Sequence, residues 1–169
     1  MITPAYCTMM ARYNGWQNRQ LMTALDPVPE HELTADRGAF FGSILGTLSH
    51  TLWADQMWMS RFVADFDEPS AGIKDSATLY PGLADWKSVR NEVDERISAW
   101  ASSLTQPDID GDLAWYSSAA DMGMQKPLAF CISHMFNHQT HHRGQVHAMM
   151  TSASLVGNTS DLIFLPEFS

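Results

Sequence analysis

Four stretches of this chain repeat their apolar residues every three or four positions, the spacing that lines one face of an α-helix, and each ends in proline or a run of turn residues. Thr3-Pro4 supplies an N-cap and a proline suited to the first helical position. Tyr6, Met10, Tyr13, Gln17 and Leu21 follow at helical spacing and predict a helix over about residues 4–25. Asp26-Pro27-Val28-Pro29 stops it, because each proline lacks a backbone donor and restricts the residue before it. Residues 27–38 read as a connector with one helical turn around Glu30 to Leu33.

A second stripe starts at Phe40 and runs through Phe41, Ile44, Leu45, Leu48, Leu52, Met59, Phe62 and Val63. Trp53, Met57 and Trp58 lie outside it, so this helix should pack on two sides, with His50 on the second face. Residues 67–82 read as a loop. Leu83, Trp86, Val93, Ile97, Trp100 and Leu104 then repeat at a period near 3.5, and Lys87, Arg90, Asn91, Asp94 and Glu95 predict a solvent-facing side for that helix. Residues 105–125 carry no helical period and predict a small hairpin or irregular insert. Lys126-Pro127 opens a last long helix through Leu128, Phe130, Cys131, Met135, Val146 and Met150, with Pro127 in its first turn; residues 151–169 form an uneven tail.

Little else signals strand, so the fold class is all-α: a four-helix bundle with long connections, built from residues 1–169 as a single domain. Ten Lys and Arg against nineteen Asp and Glu give a formal net charge of −9, and the basic residues form no cluster able to neutralise a phosphate backbone, which argues against nucleic acid as a partner. Cys7 and Cys131 stand in no metal-finger spacing and fit a reducing compartment. No stretch approaches the ~18 apolar residues of a membrane span, and the N-terminal segment lacks a secretory pattern, so the expected location is the cytoplasm. Eleven Met and six Trp can fill a core or line a pocket, and core filling is the more common use.

The densest chemical signal is HMFNHQTHHRGQVH, which holds five of the seven histidines between positions 134 and 147. His134, His138 and His142 fall at i, i+4 and i+8 on one helical stripe. Two imidazoles four residues apart can share an ion lying ~2.0–2.1 Å from each nitrogen. His134 could equally be a hydrogen-bonded core residue, His141 and His147 leave the stripe by one position, and His31 in the connector is expected to be solvated. His50, set among Leu48, Leu52 and Trp53, needs a hydrogen-bond partner or a metal. If the second and fourth long helices are neighbours, His50, His138 and His142 make a three-histidine site with open positions.

Several rival motifs are absent. No Glu precedes a His by three, as a di-iron carboxylate bundle requires, and Gln139 stands where HExxH places its glutamate. There is no GxSxG, P-loop or GxGxxG. A general base would have to be water activated by a metal or a residue from elsewhere in the fold.

Asn137-His138-Gln139-Thr140-His141-His142-Arg143-Gly144-Gln145, the upstream His50, the early Tyr13-Asn14-Gly15-Trp16-Gln17-Asn18, FGSILGTLSHTLWADQMW and the closing Asp161-to-Pro166 stretch together resemble the DinB/YfiT-like metalloproteins. The DNA polymerase sharing that name is unrelated. The resemblance covers nearly the whole chain and implies an up-down-down-up bundle, frequently a homodimer, with a divalent metal, zinc or nickel, held by His50, His138 and His142. It leaves His134 and His141 outside the ligand set.

Relatives with assigned activity include transferases and isomerases that use low-molecular-weight thiols, so the resemblance implies a small-molecule substrate and a thiol S-transferase type of reaction. A metal-dependent hydrolase and a stress-related metal-binding or interaction protein without turnover are the alternatives. The reacting group would be metal-bound water or thiol. Arg143 is a candidate anion-binding side chain, although bracing the bundle is the commoner role of a helical Arg. Gly144 is expected to admit a neighbouring helix, and Trp53, Met57, Trp58 and Trp115 to line either the pocket mouth or the core.

Overall fold

A computed structural model describes residues 1–118 and 120–167 of the chain. Helix α1 spans Pro4–Leu25, with Pro4 at its start and Thr3 Oγ1 accepting from Tyr6 N at 3.2 Å. A single-turn α2 follows over Glu30–Thr34. Helix α3 covers Ile44–Phe62, a 3₁₀ turn covers Ile73–Thr78, and α4 covers Leu83–Ser103. A short α5 (Gln106–Ile109) leads into an antiparallel hairpin, β1 (Asp112–Ser117) with β2 (Met122–Pro127), and α6 runs Leu128–Ser152.

The side-chain contacts fix the direction of every long helix. Thr8 reaches Ala101, Asn18 reaches Asp94 and Asp26 pairs with Lys87, so α1 and α4 are antiparallel. Trp86 donates to the Leu48 carbonyl, Arg90 meets Asp55 and Trp100 stacks on Phe62, so α3 and α4 are parallel. His50 faces His138 and His142 while Trp58 faces His134, so α3 and α6 are antiparallel. Tyr6 meets Phe136 and Tyr13 lies under Arg143, so α1 and α6 are parallel. The bundle is therefore up-down-down-up. Parallel α3 and α4 need a connection that runs back the length of a helix, which is why about twenty residues separate them.

Four expectations shift. The second long helix begins at Ile44 rather than Phe40, because Gly42 takes a left-handed φ of +75° and Ser43 caps the helix, its Oγ accepting from Gly46 N at 3.0 Å. Phe40 and Phe41 thus sit in a turn closed by an Ala39–Gly42 bridge. That turn presses on the helix start: a Cβ on Gly46 would lie 2.4 Å from the Phe41 carbonyl oxygen. The hairpin extends to Pro127, which ends a strand and precedes α6 instead of lying in its first turn.

Arg90, expected on a solvated face, is 1% exposed and fully enclosed. Its guanidinium donates to Asp55 at 2.6 Å and pairs with Asp94 at 2.8 Å, and Asn18 of α1 donates to the same Asp94 carboxylate. Gly144 meets open space instead of a helix, for nothing lies within 4 Å of a Cβ built there.

The apolar core runs the length of the bundle through Leu21, Leu25, Leu52, Trp86, Ile97, Ile132 and Phe136. The C-terminal tail is tied back onto α1: Tyr13 Oη donates to the Ser160 carbonyl at 2.5 Å and Gln17 Nε2 to that of Thr159 at 2.8 Å. No described helix is long and apolar enough to cross a membrane. Removing one partner of a buried ion pair leaves the other charge uncompensated at a cost of about 3–5 kcal/mol. Asp55→Ala is therefore expected to lower the urea-unfolding free energy by roughly that amount; an unchanged midpoint would contradict the role given to Arg90.

Candidate metal centre

The antiparallel pairing of α3 and α6 brings one histidine of α3 against two of α6. His138 Nε2 lies 3.3 Å from His50 Nε2 and 3.0 Å from His142 Nε2, and the three residues form one group whose potential ligand atoms all fall within 4.8 Å of one another. Nitrogens ~2.0–2.1 Å from a common ion stand roughly 2.9 Å apart at right angles and roughly 3.4 Å apart at tetrahedral angles. Both measured separations lie within that span.

Hydrogen bonds behind the rings decide which nitrogen carries the proton. Ser76 Oγ donates to the Ile73 carbonyl at 2.7 Å, so it is left to accept from His50 Nδ1 at 2.9 Å. Gln145 Oε1 can only accept, so His142 Nδ1 donates to it at 2.7 Å, while Gln145 Nε2 donates to His141 Nε2 at 3.2 Å. Both Nδ1 atoms thus hold protons and both Nε2 atoms present lone pairs to the cluster, the arrangement of a histidine prepared for a metal. His138 Nδ1 is buried without a hydrogen-bond partner among the described residues. A proton on His138 Nε2 can answer only one of the two facing lone pairs, whereas a divalent cation answers all three. The donor set therefore fits a metal ion.

Electrostatics favour the same state. Burial, reinforced by His142, pushes His50 down to about 4, and burial together with the neighbouring histidines pushes His138 down to about 3. Burial also lowers His142, against the bond to Gln145 that raises it. All three stay neutral at pH 7 and so remain able to ligate.

Phe41 covers this cluster. Its ring stacks on His50 at 3.7 Å between centroids and meets His142 edge-on at 5.4 Å. A cavity of about 500 Å³ opens beside the histidines, lined by Phe40 and Phe41 together with Trp53, Met57, Trp58 and Trp115. All four of these last side chains line the cavity, Trp53 while itself buried, whereas Trp86 fills the core.

The remaining candidates fall elsewhere. His134 packs edge-on against Trp58 at 5.1 Å and stands outside the three-histidine group. His141 is exposed, meets His142 edge-on at 4.9 Å between ring centroids and accepts from Gln145, and His31 is solvated. His147 lines a separate cavity with Tyr13 and Arg143. Arg143 turns inward, donating to Asn14 Oδ1 at 2.9 Å and Gln139 Oε1 at 3.1 Å over the Tyr13 ring, so it braces α6 against α1 and does not line the histidine cavity. Ser76, Gln145 and Phe41 were not visible as site residues in the sequence. Gln145, one turn beyond His142, could have been found from its spacing; Ser76 arrives from a connector with no local signal.

Two outcomes are expected. Partners that orient ligating histidines are typically worth about 10–100-fold in metal affinity. Ser76→Ala should weaken zinc binding within that range in competition with a chromogenic chelator, and an unchanged affinity would contradict the orienting role. In metal-stripped protein, the unfolded chain takes up histidine protons near pH 6.5 that the folded cluster refuses until about 4 and about 3. Stability should thus be flat above pH 6.5 and fall as the pH drops below it. His138→Gln should flatten part of that fall in stepped-pH urea titrations; superimposable profiles would contradict it.

Comparison with known proteins agrees with this architecture. The chain is 24% identical over 153 residues to "Protein DinB" of Bacillus subtilis (strain 168), covering 88% of this chain and 87% of that one. The crystal structure of a DinB-like protein from Bacillus cereus ATCC 10987 shares the fold with a TM-score of 0.54 at 17% identity, over 85% of this chain and 90% of its own. The DinB family profile matches residues 1–162, and with a match of that extent this chain belongs to the DinB family.

Proposed function

We propose that this protein binds one divalent metal ion, zinc or nickel, through His50, His138 and His142, and uses it as an enzyme of the thiol S-transferase type on a small molecule. The observation that carries the reading is the convergence of the Nε2 atoms of His50, His138 and His142 at the edge of an open cavity. Three protein ligands facing such a space suit a catalytic centre more than a closed structural one. Imidazole ligands suit zinc and nickel alike.

A divalent ion bound there supplies the positive charge that lowers the pKa of a thiol and favours its thiolate form. The chain's own residues supply the rest. Ser76 and Gln145 hold the Nδ1 protons of His50 and His142 and thereby keep the ring orientation. Phe41 shields one side of the cluster from water, and the indoles of Trp53, Trp58 and Trp115 offer an apolar wall for the body of an electrophile. Among the described residues that line the cavity there is no carboxylate to act as a general base. That composition favours chemistry in which the nucleophile is already deprotonated. The reading includes a homodimer, the assembly that the resemblance implies, in the cytoplasm, the place expected from the cysteines and the lack of a secretory pattern; light scattering on purified protein should give twice the chain mass of 18.9 kDa.

Zinc- or nickel-loaded protein should consume a haloaromatic electrophile with at least one of a panel of low-molecular-weight thiols, and lose that turnover on chelation. A saturable metal site without turnover across the panel would instead make this a metal-binding protein that does not catalyse thiol transfer.

A further inference from the structure

The cavity beside the histidines is lined by a single Asp, Glu, Lys or Arg side chain among the described residues, and that residue is Arg61. Its guanidinium carbon lies 4.7 Å from the centre of the Trp58 ring and 5.6 Å from that of Trp115. It takes part in no ion pair and donates no hydrogen bond among the described residues; Glu68 acts on it only at longer range. A guanidinium held against two indoles keeps its in-plane N–H groups for an acceptor, and that planar fork matches a carboxylate bidentately.

The two buried arginines of this bundle are matched, whereas Arg61 is half-buried. Arg90 meets Asp55 and Asp94, and Arg143 meets Asn14 and Gln139. Arg61 is the exception, and it stands where a small molecule would lie. It is eleven residues beyond His50 on α3, about 16 Å of helical rise, and helical side chains lean back toward the N-terminus. The wall between the two ends is Ala54, Met57 and Trp58, which carry no charge. Such a site has a metal-ligating end, an apolar middle and one cationic anchor.

We propose that Arg61 is the specificity-determining residue of this cavity, and that the substrates are small organic carboxylates. Their apolar or aromatic body lies along Trp58 and Trp115, their carboxylate pairs with Arg61, and their reactive end faces the histidine cluster. The inference rests on the reading of this cavity as the substrate site, and its anchor is separate from the metal ligands. In a protein of net charge −9, a half-buried cation with no ion-pair partner among the described residues also gives an anion a local destination.

Isothermal titration of zinc-loaded protein with phenylpropionate and with its neutral isostere phenylpropionamide tests this. The carboxylate should bind about tenfold or more tightly than the amide, as charge-assisted pairing requires. Arg61→Gln should bring the two within about twofold, with zinc content unchanged because Arg61 touches none of the three histidines. Arg61→Lys, which keeps the charge and loses the fork, should retain a smaller preference, and an undiminished one would overturn the bidentate assignment. Equal binding of acid and amide by the wild type overturns the proposal. A preference that survives in Arg61→Gln and disappears after chelation places the anion on the metal and overturns it as well. An Arg61-dependent preference in protein that takes up no zinc would uphold the anion anchor while removing the metal centre, so the two failures are distinguishable.

Discussion

A buried polar layer in the middle of the bundle, built around Gln139, Arg143, Asp55 and Arg90, sets the register of α6 against α3. Gln139 reaches the Thr51 carbonyl at 3.5 Å and accepts from Arg143, while Asp55 takes the guanidinium of Arg90. Through Asn14, Asn18 and Asp94 this polar layer touches all four long helices. Each group in it would be costly if left alone, so a slip of one helix along another is penalised at several points at once. The histidine cluster inherits its geometry from that register: Gln139 is the residue after His138, and Thr51 is the residue after His50.

A buried layer of this kind adds little to stability compared with apolar packing of the same volume. What it supplies is a definite alignment. Leu, Met and Phe contacts tolerate sliding and rotamer change, as the many methionines in this core would allow. A three-histidine centre has no such tolerance, because its nitrogens must converge within a few tenths of an ångström. The division of labour is spatial: the polar layer lies inside the bundle, the aromatic wall outside it, and the histidines stand where the two meet.

The sequence carried much of this and missed specific parts for physical reasons. Helical periodicity located α1, α4 and α6 within a few residues, because these helices bury a continuous face. It extended α3 through Phe40 and Phe41 because two phenylalanines fit the stripe by spacing alone. The glycine and serine that follow them were the signal for a turn and a cap, and they put Phe41 onto His50 instead of into the core. Arg90 fell on the polar side of α4, and nothing within one helix shows that the facing helix presents a buried Asp55. The candidate ligands were legible because His138 and His142 repeat at one turn and His50 is an imidazole among leucines. Ser76 was not, since a hydroxyl twenty-six residues from its histidine belongs to the tertiary fold. Arg61 was equally silent, because its importance lies in what does not pair with it.

The central claim is that three particular histidines, and not the histidine-rich segment as a whole, hold one metal ion. Elemental analysis by mass spectrometry of tag-free protein tests it directly, comparing wild type with His50→Ala, His138→Ala, His142→Ala and His134→Ala. Near-stoichiometric zinc or nickel is expected in the wild type and in His134→Ala, with loss in the other three. Metal absent throughout after loading, or lost equally in His134→Ala, would contradict it.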